Sequence, residues 1–169
     1  MNLSKIFEMQ KDLDKEFSIK TKQTHPDLTE QDIHIQRTLA LIVEAGEFIN
    51  EVQSFKYWKI NKNVNRELVL EEFADLVHFF VNFANTYNIE PIIKPLVLSD
   101  DINIQFQKLF LSISKIMYNK NTLLVKRRIK RSFRIALGAF VKLGFTYDDL
   151  FEFYKFKNEK NYQRIKNNY

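Results

Sequence analysis

The chain has 169 residues, 45% of them hydrophobic and sixteen of them Phe, which argues against disorder and suits one domain, 1–169, with a substantial core. Three Gly, three Pro and no Cys argue against a turn-rich β fold, exclude disulfides and thiolate metal sites, and agree with a cytoplasmic, reducing setting. The net charge of +5 hides a division: residues 1–101 carry eleven basic against seventeen acidic side chains, and residues 102–169 carry fifteen against four.

The acid-bearing N-terminus lacks the apolar core of a signal peptide, and no run of about 18 apolar residues could span a membrane. Leu3, Ile6, Phe7, Leu13 and Phe17 predict an amphipathic helix over 3–17, with Gln10 inside it. Residues 18–29 read as a connection. Thr29 is a good N-cap and Asp32 can complete an imperfect capping box, so a long helix is expected from there to about Phe55. On it, Leu41, Ile42, Ala45, Phe48, Ile49, Val52 and Phe55 form a broad apolar arc, with Glu44, Glu47 and Glu51 in a narrow arc beside it. Solubilising charges prefer the far side of a helix, so acids edging the buried face are unusual.

Lys56 to Arg66 reads as a polar loop that opens on Tyr57-Trp58. A third helix is expected from Leu68 to about Tyr87, with Val69, Phe73, Leu76, Val77 and Phe80 as its stripe and Glu72, Asp75 and Phe79 along one edge. Pro91 and Pro95 mark a break. Further helices are expected over 102–118 and 122–143, separated at Asn119-Lys120-Asn121, and a last one after the N-cap Thr146. The pattern is all-α.

Glu44 with Glu47, and Glu72 with Asp75, are i, i+3 pairs on helices joined by a short loop. Such helices pack antiparallel, so the pairs can face each other. Four carboxylates brought together repel unless a cation sits among them. Mg²⁺ suits such oxygen donors, and two ions could activate a water and neutralise a phosphoanhydride. From spacing alone, this reading and a solvated acidic face are evenly matched. His78 and Trp58 read first as packing residues, and Lys157 and Arg164 as surface charge on a tail. The cluster Lys126, Arg127, Arg128, Lys130, Arg131 and Arg134 reads as a solvated face ahead of a nucleic-acid surface.

In order, E-A-G-E-F-I-N-E, F-K-Y-W, L-E-E-F-A-D-L-V-H-F, L-G-F-T and K-N-E-K-N-Y-Q-R resemble the dimeric, all-α dUTP diphosphatases, part of the MazG-like all-α nucleoside triphosphate pyrophosphatases. The resemblance runs from Gln10 to Tyr169, with 90–140 contributing little. It implies two or more Mg²⁺ ions on Glu44, Glu47, Glu72 and Asp75, and Glu44 as the group that orients or deprotonates the attacking water. It implies attack on the β-phosphorus of dUTP, giving dUMP and pyrophosphate, with dUDP as a further substrate. Lys157, Asn161 and Arg164 would meet the phosphates. Gln10, Trp58, His78 and Phe80 would line the nucleoside pocket, with Asp14 matching the family's Q-x-x-L-D. A homodimer is implied as well.

Two features depart from the family. Its D-G-L-H-F appears here as Asp75-Leu76-Val77-His78-Phe79, and its R-Q-x-x-G-Y ending as Arg164-Ile165-Lys166-Asn167-Asn168-Tyr169. The alternatives are a MazG-like pyrophosphatase of another or damaged nucleotide, and a non-catalytic relative that binds nucleic acid or protein.

Overall fold

The computed structural model describes residues 1–117 and 121–167. The described residues form six helices: α1 (Ser4–Thr24), α2 (Glu30–Val52), α3 (Arg66–Thr86), α4 (Ile102–Ser114), α5 (Thr122–Lys142) and α6 (Tyr147–Lys166). Among the described residues the only extended pairing is an isolated antiparallel bridge between Asn2 and Ile92. Among the described residues, no helix is long and apolar enough to cross a membrane.

Helix starts follow the expected caps. Thr29 and Asp32 form a full capping box on α2, and Thr146 with Asp149 does the same on α6. Asn65 caps α3 by accepting from the backbone N–H groups of Glu67 and Leu68, so that helix starts at Arg66 rather than Leu68. Helix ends follow the sequence less closely. α1 runs to Thr24, past the expected Phe17, because nothing breaks a helix in the polar stretch before Pro26. α2 stops at Val52, where Gln53 turns into the left-handed region at φ 57°. α4 ends at Ser114. The expected break at 119–121 and the tail end at 168–169 fall largely outside the described residues.

α3 is the hub. It packs against α1, α2, α5 and α6, while α4 pairs with α5 and touches α2. α2 and α3 are antiparallel: His34 meets Phe83 and Tyr87, while Phe48 lies 4.9 Å from Phe73. Phe73 stacks on Phe140 at 4.2 Å, and Phe140 on Phe145.

The connection 87–101 crosses α5 closely. Leu96 N–H donates to the Arg134 carbonyl, and the buried Gln105 amide donates to the carbonyls of Leu96 and Ile135. Gly138 sits under this crossing; a Cβ there would lie 2.1 Å from the Leu96 oxygen. Part of the basic cluster on α5 serves the same seam. Lys126 Nζ donates to the Asn88 carbonyl and Arg134 Nε to that of Lys94, while Arg128 donates to the carbonyl of Lys115 at the end of α4.

Candidate functional site

Glu44 on α2 and Glu72 and Asp75 on α3 each bring a carboxylate oxygen to within 4.8 Å of the others. All three are half-buried. Glu47 lies a turn along α2 and is exposed. It stands close enough for its charge to act on Glu44 and Glu72, without joining the tight group. The electrostatics are those of crowded carboxylates. Burial, then the charges of Asp75, Glu47 and Glu72, raise the Glu44 pKa to about 7. Burial and Asp75 raise Glu72 as well. Burial pushes Asp75 up against the pull of Lys157.

Lys157, on α6, reaches into this cluster. Its Nζ lies 2.5 Å from Asp75 Oδ2 and 2.9 Å from Glu71 Oε1. Burial opposes the ammonium, but its hydrogen bonds to Asp75 and Glu71 prevail and hold its pKa above the usual value. Lys160 Nζ also meets Glu71 Oε1, at 3.1 Å. Further along α6, Arg164 donates to Asn161 Oδ1 and its charge acts on Asp75.

A second group of polar side chains lies one helical turn from the first along both α3 and α6. Gln10 is buried, and its Nε2 donates to Asp14 Oδ1 at 2.7 Å. Asn82 Nδ2 donates to the same oxygen at 2.7 Å. Gln10 Oε1 accepts from the Tyr154 hydroxyl and lies 2.7 Å from His78 Nδ1. Burial, then the charge of Lys157, lowers the His78 pKa to about 3, so the ring is neutral. An amide oxygen can only accept, which favours the His78 proton on Nδ1 and Nε2 as the acceptor, with the Tyr154 backbone also against the ring. His78 Nε2, Asn82 Oδ1 and Asn158 Nδ2 are buried and, among the described residues, have no hydrogen-bond partner. Such open valences are uncommon in a folded interior. His78 also stacks on Tyr154 at 4.0 Å.

The sequence-derived residues thus divide. Glu44, Glu72, Asp75 and Lys157 converge, with Arg164 acting at longer range, and Gln10, Asp14 and His78 converge beside them. Phe80 does not join the second group: it is 0% exposed and stacks on Phe133 at 4.9 Å, in the core. Its neighbour Phe79 is half-buried and shares the edge of α3 with Glu72 and Asp75. Trp58 is 61% exposed in the connection 53–65, where it meets Phe55 and Tyr57. Among the described residues, no ring contact or hydrogen bond joins it to Gln10 or His78. Sequence reasoning passed over Glu71, Asn82, Tyr154, Asn158 and Lys160. Glu71 carried a usable signal, since it stands i, i+4 from Asp75 and shares its side of α3.

An all-α bundle that gathers carboxylates from two antiparallel helices and sets a lysine against them has the donor chemistry of a hard-cation site next to a phosphate clamp. The chain belongs to the all-α dUTPase family: the profile described as dUTPase matches residues 2–169. That is a family of nucleotide hydrolases, which usually need a divalent metal. Comparison with curated proteins gave no match.

The donors fit such a metal. All are oxygens, and burial, together with the charges of the neighbouring carboxylates, raises the pKa values of Glu44 and Glu72, a cost that a divalent ion would relieve.

Proposed function

We propose that the chain is a Mg²⁺-dependent dUTP diphosphatase that converts dUTP to dUMP and pyrophosphate, and dUDP to dUMP and phosphate. The observation that carries this reading is the convergence of Glu44, Glu72 and Asp75 beside Lys157, one turn from the Gln10–His78 pair. Glu44, Glu72 and Asp75, with Glu47 turning in from the next turn, would hold the metal ions. When bound, these supply charge neutralisation on the phosphates and a more acidic water.

The chain's own groups do the rest. Glu44, whose pKa lies near neutrality, takes the proton of the water that attacks the β-phosphorus. The bond from that phosphorus to the α–β bridging oxygen breaks, and dUMP leaves with the oxygen. Because the γ-phosphate takes no part, dUDP follows the same course. Lys157 and Arg164, with Asn161, stabilise the growing negative charge on the phosphates.

The base is read by the second group. Tyr154 and Asp14 hold the Gln10 amide, and its oxygen fixes the His78 proton on Nδ1. The bare Nε2 then accepts the N3–H of uracil. Cytosine presents a lone pair at that position and would leave two acceptors facing each other. Phe79 and Trp58 flank the nucleoside.

The protein works as a single-domain homodimer in the cytoplasm. Supporting the dimer, α2 exposes an apolar line at Ile35, Leu39 and Val43, and the following connection exposes Ile60 at 99%. The deciding experiment is a panel of nucleotides with and without Mg²⁺, read as pyrophosphate release. dUTP should exceed dCTP, dTTP and UTP by orders of magnitude, and chelation should abolish turnover. Equal rates would instead mark a pyrophosphatase of another nucleotide. Tight oligonucleotide binding without any hydrolysis would mark a non-catalytic relative.

A further inference from the structure

Lys157 holds a place that a divalent cation would want. Its side chain is only 7% exposed, and its Nζ lies 2.5 Å from Asp75 Oδ2. Asp75 is also one of the three residues whose oxygens converge within 4.8 Å. An ammonium hydrogen-bonded to a carboxylate draws on the lone pairs a metal needs, and it repels the metal's charge. Building on the proposed metal site, we infer that Lys157 is a resident counter-ion of the carboxylate cluster, which hinders divalent-cation loading until nucleotide phosphates draw its ammonium away from Asp75.

The surroundings make this exchange easy. Glu71, the second anchor of Lys157, also holds Lys160 at 3.1 Å, so it keeps a cation when Lys157 leaves. Asp75 keeps one too, because the metal takes the place of the ammonium. A lysine has a long, flexible stem, so the ammonium can change partners without moving α6. Asn161 and Arg164 follow Lys157 at i+4 and i+7 on α6, along the same side of that helix. Phosphates held there would offer the ammonium a new set of oxygens. The result is positive coupling: nucleotide tightens metal binding and metal tightens nucleotide binding, by the same factor.

The test is Mn²⁺ binding, followed by electron paramagnetic resonance and calorimetry, without turnover. With Mn²⁺ alone, Lys157→Gln should bind about tenfold more tightly than the unmodified protein, the scale of ordinary coupling between sites. Lys160→Gln removes the same charge from the same neighbourhood but does not touch Asp75, and should change the affinity less than about twofold. A non-hydrolysable dUTP analogue should tighten Mn²⁺ binding less in Lys157→Gln than in the unmodified protein. Equal Mn²⁺ affinity in Lys157→Gln and the unmodified protein overturns the inference, as does an equal gain in Lys160→Gln. Absence of Mn²⁺ binding in every protein, with the analogue present, overturns the metal site as well. If Lys157→Gln does not fold, the ¹⁵Nζ resonance of the buried ammonium decides, assigned with Lys157→Arg. It should shift on saturation with Mg²⁺, and a resonance unmoved at saturation refutes the exchange.

Discussion

Glu44→Gln should stabilise the metal-free protein at pH 8 while abolishing hydrolysis. In the folded state the Glu44 carboxyl keeps its proton up to about pH 7, against 4.5 for an ordinary Glu. Between those values the folded chain holds a proton that the unfolded chain has lost. Raising the pH through that window therefore drains stability, and the loss is complete above it. For a group fully shielded from water the span would be worth ~3 kcal/mol. Glu44 is half-buried, and solvent screening reduces this to ~1–2 kcal/mol. For a chain of this size that is a gain of ~3–6 °C in melting temperature for the Gln variant at pH 8. The assay is thermal unfolding in a chelating buffer from pH 5 to 8.5, repeated with Mg²⁺. At pH 5 the gap between the two proteins should shrink to a small fraction of that at pH 8, because the folded Glu44 is then protonated and only the unfolded chain has begun to lose its proton. Mg²⁺ should raise the melting temperature of the unmodified protein and leave the variant nearly unchanged. A variant less stable than the unmodified protein at pH 8 would refute the reasoning, as would an advantage at pH 5 as large as that at pH 8.

Mn²⁺ affinity should climb as the pH rises through about 7, because the raised Glu44 must lose its proton to become a ligand; a flat profile between pH 6 and 8 would exclude Glu44 from the donor set. Phe80→Leu should cost ~1 kcal/mol in urea unfolding and leave KM for dUTP within about twofold, because Phe80 stacks in the core. A large rise in KM would return it to the nucleoside pocket. Tyr154→Phe should lose ~1 kcal/mol of stability and narrow the ratio of kcat/KM for dUTP over dCTP, since the Gln10 oxygen loses a donor. Unchanged discrimination would detach Tyr154 from base reading. Gly138→Ala should destabilise by ~2 kcal/mol or more, because its Cβ would meet the Leu96 carbonyl; an unchanged urea midpoint would show that the crossing can yield.

Much of the bundle was legible because its cues are local. The apolar stripes of α2 and α3 and the caps at Thr29 and Thr146 each lie within a few residues. The outer half of α1 has no apolar stripe, since residues 18–24 are polar or exposed, so periodicity was silent there. The acid pairs were legible as pairs, but not which member turns inward. Residues three apart on a helix differ by about 60° in direction, enough to set Glu44 in the cluster and Glu47 in solvent. One residue turns a helix by about 100°, which is why Phe80 lies in the core while Phe79 stands at the edge. The contacts of Glu71 with Lys157 and of Gln10 with Tyr154 join positions 86 and 144 residues apart, beyond any local pattern.

That last separation has a consequence for how the protein comes into being. Gln10 emerges early during synthesis, yet the hydroxyl that orients its amide belongs to the final helix. Chains grow at about 5–20 residues per second, so the nascent chain spends several seconds with α1 and α3 exposed and Tyr154 not yet made. During that interval Gln10 has no fixed orientation and Asp75 has no ammonium beside it. The site cannot be complete before α6 docks, because Tyr154 and Lys157 lie on it. A ribosome-bound chain stalled before residue 150 should therefore carry most of its helices and none of its nucleotide recognition.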